Sequence, residues 1–322
     1  MKPWLTPDHI NRLAADPAQC MRASLVPAVD ASLPFVPEDY TQLYFTPLYA
    51  ALHREHRLRY NQLFALRINE YIMMLEADLV ERLLTPLRRL PKVASDAALL
   101  TAIDTMIAEE RRHYGVFAAL NRACRPDIYT PNKDRHFSRL PLWTKAMFWG
   151  AGMLASRLAF SLWYLMAMEE SSMALARDMT RRPQTETLGR LDPAFASVHL
   201  EHMKDEARHL HIDGILIDLV VTPASPARQR LNARLFGAML RGVTRPTRGG
   251  SGVKVIRQLV HDMPELGWME KDMINAALAL KGNVKFQESL FNRTIMPMTF
   301  GVFDKTEELQ GLGARMAGYD RR

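Results

Sequence analysis

The chain has 322 residues and a mass of 36.7 kDa, with 48% hydrophobic and 24% charged residues. This is ordinary globular usage, which excludes a largely disordered chain and leaves ample length for a buried core. Only two cysteines, Cys20 and Cys124, are present, which excludes a disulfide framework and any cysteine-based zinc or iron–sulfur site and leaves His and carboxylate as metal ligands. The net charge of +7 and pI of about 9.5 favour an anionic partner. No Lys/Arg block with interleaved aromatics accompanies that charge, so nucleic acid is not expected.

The opening Met1-Lys2-Pro3-Trp4-Leu5 runs directly into Thr6, Pro7, Asp8 and His9, so no signal peptide is read there and a cytoplasmic location is expected. From there on helical periodicity dominates. Tyr40 to Leu90 carries apolar residues at three- and four-residue spacing, broken by Pro47 and ended near Pro86. Ala94 to Cys124 predicts a second long helix, about Leu142 to Thr180 a third, and about Ala194 to Val221 a fourth. Shorter helical patterns follow over Arg228 to Arg241, Val253 to Asp262 and Trp268 to Lys281. The expectation is an all-α chain forming a single domain over 1–322. Its core is a four-helix bundle over about 48–221, with the helices of 223–322 packed on it. Arg241, Arg245 and Arg248 fall in a Gly/Pro/Thr-rich run read as a loop.

One stretch demands a membrane test. Phe148 to Met168 spans 21 residues with Arg157 as its only charge, enough to cross a bilayer. A charge near its centre costs about 2.5–3.5 kcal/mol on insertion, and Glu169 and Glu170 follow at once. A helix buried inside the bundle is the better reading, and no membrane span is expected.

The polar residues on the four long helices form a pattern. The second helix contains Glu109-Glu110-Arg111-Arg112-His113 and the fourth Asp205-Glu206-Ala207-Arg208-His209, the same acid-Glu-x-Arg-His frame 96 positions apart. Glu and His three residues apart share one helical face and can hold one ion. The first and third helices echo each other as Tyr71-Ile72-Met73-Met74-Leu75-Glu76 and Tyr164-Leu165-Met166-Ala167-Met168-Glu169. Each segment ends in a Glu among apolar neighbours, where an ionised carboxylate is costly unless paired or metal-bound. Glu70 and Glu81 compete with Glu76 but share their faces with Arg67 and Arg88. Glu170 competes with Glu169, and its face carries Arg177, so Glu169 is preferred. Glu, Glu-x-x-His, Glu, Glu-x-x-His, one element per helix, is the ligand arrangement of di-iron or di-manganese carboxylate bundles. Glu109 and Asp205 can accept the remaining N–H of a ligating His on the facing helix, and Arg112 and Arg208 can clamp those acids.

His202, four residues before Glu206, adds a donor that this minimal set lacks. The order Glu, Glu-x-x-His, Glu, His-x-x-x-Glu-x-x-His over Tyr71 to His211 resembles the p-aminobenzoate N-oxygenase (AurF-like) family of ferritin-like di-iron oxygenases. The resemblance implies a ligand set of Glu76, Glu110, His113, Glu169 (or Glu170), His202, Glu206 and His209. It implies two iron ions, O2 as co-substrate and oxygen transfer to the nitrogen of a small amine in secondary metabolism. The substrate class left open includes carboxylated amines and amines tethered to a carrier protein, with Arg157 and Arg177 as candidate carboxylate holders. No flavin or nicotinamide fingerprint is present, so an external reductase or reductant is expected, and a homodimer is compatible with the sequence. The rival readings are C-hydroxylation, desaturation or oxidative cleavage on the same scaffold, and an iron-binding protein without organic substrate.

Overall fold

The computed structural model describes residues 3–22, 28–138, 150 and 159–319, apart from the side chains of Asp78 and Val243. Among these residues the protein is all-α, with two isolated backbone bridges and no β-strand. The longer helices are α1 (Pro7–Ala14), α2 (Arg54–Leu75), α3 (Glu81–Leu87), α4 (Ala97–Cys124), α5 (Phe160–Arg181), α6 (Pro193–Leu216), α7 (Pro226–Thr244), α8 (Ser251–Asp262), α9 (Glu270–Ala279), α10 (Pro297–Lys305) and α11 (Glu307–Gly313). Helices α4 and α6 begin where their sequences provide a cap: Asp96 accepts the Leu99 N–H at 2.9 Å, and Asp192 accepts the Phe195 N–H at 2.5 Å ahead of Pro193.

The fold differs from the sequence expectation in particulars. Regular helix begins at Arg54, not near Tyr40, because Leu52 and His53 hold extended backbone after the short helix Pro47–Ala51. The described part of the third helix starts at Phe160; Arg157 and the rest of 151–158 lie outside the described residues. From Phe160 to Met168 every side chain is buried inside the protein, and no helix among the described residues is long and apolar enough to cross a membrane. Arg241 belongs to α7, and α1, α10 and α11 have no counterpart in the sequence reading.

Helices α2, α4, α5 and α6 form the bundle, and a polar layer divides their core into two apolar halves. One half takes Phe64 and Leu66 of α2, Phe117 and Leu120 of α4, Leu175 and Met179 of α5, and Phe195 and Val198 of α6. The other takes Leu75, Ile103 and Met106, Leu162 and Leu165, and Ile212 and Leu216. The order in which each helix passes through these halves gives its direction. Helices α2 and α6 run one way and α4 and α5 the other, so the chain leaves α4 at one end of the bundle and enters α5 at the opposite end. One long crossover is the topology of ferritin-like folds. Helices α2 and α5 meet through the hydroxyls of Tyr71 and Tyr164, each five residues before the glutamates of the polar layer.

The remaining elements clad this core. Helix α8 packs on α2, α7 and α10 pack on α5, and α1 lies across α4 and α6. Trp4, just ahead of α1, rests on α6 at Gly214, where a Cβ would stand 2.3 Å from the indole, and its Nε1–H donates to Asp218 at 2.7 Å. Only glycine permits that approach.

Candidate metal centre

The residues of the polar layer are delivered by four helical segments. Glu76 opens a five-residue π-helical segment, Glu76–Val80, between α2 and α3. Such widened turns recur at functional sites, and this one keeps Glu76, Leu79, Val80 and Leu83 all buried. Glu110 and His113 come from the middle of α4 and Glu169 from α5. His202, Glu206 and His209 come from one face of α6, as the three- and four-residue spacing dictates.

The atoms converge as two adjoining groups. Donor atoms of Glu76, His113 and His202 lie within 4.8 Å of one another, as do those of Glu110, Glu169, Glu206 and His209. His202 Nε2 stands 3.5 Å from Glu76 Oε1, and His113 Nδ1 stands 3.7 Å from the same oxygen. Two carboxylates connect the groups. Glu206 Oε1 is 3.0 Å from His202 Nε2 and 3.4 Å from both His113 Nδ1 and His209 Nδ1. Glu110 approaches His209 Nδ1 at 3.1 Å through one oxygen and His113 Nδ1 at 3.7 Å through the other.

The polar atoms of this layer are sorted by whether the protein satisfies them. Both oxygens of Glu76 and of Glu169, Oε1 of Glu206, Nδ1 of His113 and of His209, and Nε2 of His202 are buried without a hydrogen-bond partner. So many orphaned buried polar atoms would be prohibitively costly in a finished core, and they all face one small volume. The outer nitrogens are satisfied. His113 Nε2 lies 2.8 Å from Asp205 Oδ2, and His209 Nε2 lies 2.9 Å from Glu109 Oε2. An ionised carboxylate only accepts, so a proton sits on each Nε2 and each Nδ1 is turned inward. Each acid comes from the helix opposite its histidine. The acids are themselves held: Arg112 donates to Asp205 at 2.7 Å, and Arg208 donates to Glu109 at 2.5 Å and to Asp205 at 2.7 Å. Cys20 lies near Glu109 and Asp205, but both carboxylates are already committed to these arginines and histidines.

Charge in the layer follows from burial and proximity. Burial pushes Glu76 up to about 7, and burial together with the neighbouring Asp213 carries Glu169 well above the usual carboxylate range. Burial opposes the charged form of His202, yet the Glu206 and Glu76 carboxylates raise it to about 10. Burial also opposes ionisation of Glu206, but His202 and His209 hold it well below its ordinary value. Protons on imidazole and carboxyl groups thus stand where cations would otherwise balance the carboxylates. A cluster of four carboxylates and three inward-facing imidazole nitrogens, with orphaned atoms on one volume, fits a pair of iron or manganese ions.

The competing residues are engaged elsewhere. Glu170 caps α10: its two oxygens accept the N–H groups of Met298 at 2.7 Å and Thr299 at 2.8 Å. Its oxygens are therefore satisfied without a cation, unlike those of Glu169. Glu70 is fully buried, contrary to the reading from its Arg67 neighbour. It accepts the Tyr129 hydroxyl at 2.7 Å and the N–H groups of His136, Phe137 and Ser138. Glu81 lies near the surface, paired with Arg111 at 2.6 Å. Arg177 donates to the Ile295 carbonyl at 3.3 Å, and Arg157 lies outside the described residues.

Three features escape sequence reasoning. Asp213 continues the inward face of α6 four residues beyond His209, is fully buried beside Glu169, and has no hydrogen-bond partner for either oxygen. The continued four-residue spacing after His209 is the signal that could have found it. His199 is buried between Phe117 and Phe195, and burial lowers it to about 3, so it is neutral and takes no part in the donor clusters. A cavity of about 240 Å³ reaches the layer between the π-helical segment and α4, lined by the buried Glu76, Ile107 and Glu110 and, nearer the surface, by Ala77, Glu81, Arg111 and Tyr114.

Residues 25–249 match a family model described as P-aminobenzoate N-oxygenase AurF. No curated protein matches the chain.

Proposed function

Because the chain belongs to the P-aminobenzoate N-oxygenase AurF family, we propose that it is a non-haem di-iron oxygenase that uses O2 to N-oxygenate a small amine, with electrons from an external donor. The observation that carries this reading is the set of orphaned donor atoms of Glu76, Glu169, Glu206, His113, His202 and His209 directed at one buried volume. Glu76, His113 and His202 would hold one iron, Glu169 and His209 the other, with Glu110 and Glu206 between them. When bound, the two irons supply reduction of O2 and delivery of one oxygen atom to the amine nitrogen.

The protein's own residues have distinct tasks. Asp205 and Glu109 hold the outer nitrogens of His113 and His209, so that each ring is already turned with Nδ1 toward the metal volume. Arg112 clamps Asp205, and Arg208 clamps both acids, which keeps them aimed at the two imidazoles. The apolar halves above and below the layer exclude water, which protects a reactive centre from side reactions. The cavity beside Glu76 and Glu110 is the route by which a small amine would reach it.

The test is anaerobic Fe(II) loading with metal quantification, followed by O2 addition in a stopped-flow spectrometer and product analysis with a panel of amines. The expected result is two irons per chain, rapid O2 consumption and an oxidised nitrogen in one of the products. Failure to bind two metals would remove the ligand assignment. O2 consumption with oxidation at carbon alone would move the chain to another di-iron reaction.

A further inference from the structure

A second cavity, of about 920 Å³, lies between α7 and the C-terminal α10–α11 segment and shares no lining residue with the metal centre or its access cavity. One wall is a single face of α7, on which Arg230, Arg234 and Arg241 recur at helical spacing around Gly237. Lys305 and Arg315 stand on the opposite wall. All five cations are exposed, and among the described residues none of them forms an ion pair; Arg315 Nε donates only to the Gly311 carbonyl at 3.1 Å. Gly237 shapes the floor, since a Cβ there would stand 3.0 Å from Leu312 Cδ1. Five cations outnumber the two carboxylates of the lining, Glu307 and Glu308, and focus a positive potential into the concavity.

We propose that this groove binds a nucleotide-type polyphosphate. Arginine forks match phosphate oxygens two at a time. The arginines of α7 are spread over about 16 Å of helix, long enough for several anionic groups in a row and too long for one phosphate. The volume falls in the range of small-molecule sites. The remaining polar lining discriminates between kinds of anion. Glu307 and Glu308 also face the cavity; they would repel an acidic protein surface but can accept hydrogen bonds from sugar hydroxyls or base amino groups, as can Gln229 and Thr306. Lys305, Arg315 and the two glutamates lie beyond residues 25–249, the part matched by the family model, so half of the groove is built by the C-terminal segment. This site stands independently of the di-iron reading.

The experiment is isothermal titration of the full chain with ATP, with reduced nicotinamide adenine dinucleotide phosphate and with coenzyme A. Inorganic pyrophosphate and a poly-glutamate peptide serve as comparison anions. The expected result is one-to-one binding of at least one nucleotide, weakened by added salt. That binding should fall about tenfold or more in Arg230→Gln/Arg234→Gln, with unchanged circular dichroism and unchanged iron loading. Absence of binding by all three nucleotides would overturn the proposal. So would nucleotide binding that survives both Arg230→Gln/Arg234→Gln and Arg241→Gln, or pyrophosphate or the acidic peptide binding as tightly as any nucleotide.

Discussion

Two pairs of buried glutamates lie almost side by side in this sequence and meet opposite fates. Glu70 and Glu170 are satisfied by the protein: Glu70 gathers three backbone N–H groups and the Tyr129 hydroxyl of the loop after α4, and Glu170 gathers the first two free N–H groups of α10. Glu76, six residues after Glu70, and Glu169, one residue before Glu170, are likewise buried and have no partner for any of their four oxygens. Burial of a carboxylate therefore does not mark a ligand. The first pair stitches distant segments to the bundle; the second is left open, and only a cation or a proton can complete it.

Substitutions that separate the two kinds of carboxylate would test this contrast. Glu206→Ala removes the oxygen that stands closest to three histidines at once; metal binding should be abolished, as read by metal quantification after anaerobic loading. Glu70→Ala removes the acceptor of three buried donors and of the half-buried His136 N–H, at about 1–3 kcal/mol for each buried one before relaxation. Its denaturant midpoint should fall by the equivalent of about 4 kcal/mol, while any protein that folds still loads metal. Asp205→Asn frees the His113 tautomer without touching an inward-facing donor, and titration with Mn(II) should show roughly 10- to 100-fold weaker binding. Glu170→Ala should cost about 2 kcal/mol through loss of the α10 cap. Its hydrogen exchange should quicken over 297–305 and its metal stoichiometry stay that of the wild type; loss of metal would instead return Glu170 to the ligand set. The smallest effect is expected from Arg111→Ala. Its partner Glu81 is well exposed, so the melting temperature should stay within experimental scatter.

Much of the centre was legible because its code is local. Glu110 with His113, and His202 with Glu206 and His209, must share a face wherever a helix forms, since the helical pitch alone puts them there. The repeated acid-Glu-x-Arg-His frame likewise placed Glu109 and Asp205 one residue before their partners. The geometry of antiparallel α4 and α6 then turns each acid toward the other helix's histidine. The choice between Glu169 and Glu170 could not be read this way, because both sit on a helix buried on nearly every side. What separates them is the N-terminus of α10, which arrives 129 positions later to occupy Glu170 and leaves Glu169 bare. Asp213 was passed over because no fourth polar position on α6 is needed to complete the motif, although the spacing continues to it; its proximity to Glu169 shows that it belongs to the layer.

By itself, then, the sequence determined an all-α chain, four long helices and the residues each turns to one face, because period and pitch are properties of a single helix. Tertiary structure decided the crossover direction of the bundle, the division of its core by a polar layer, and which buried carboxylates are satisfied and which are left bare. Those outcomes depend on partners that only packing brings within hydrogen-bond distance.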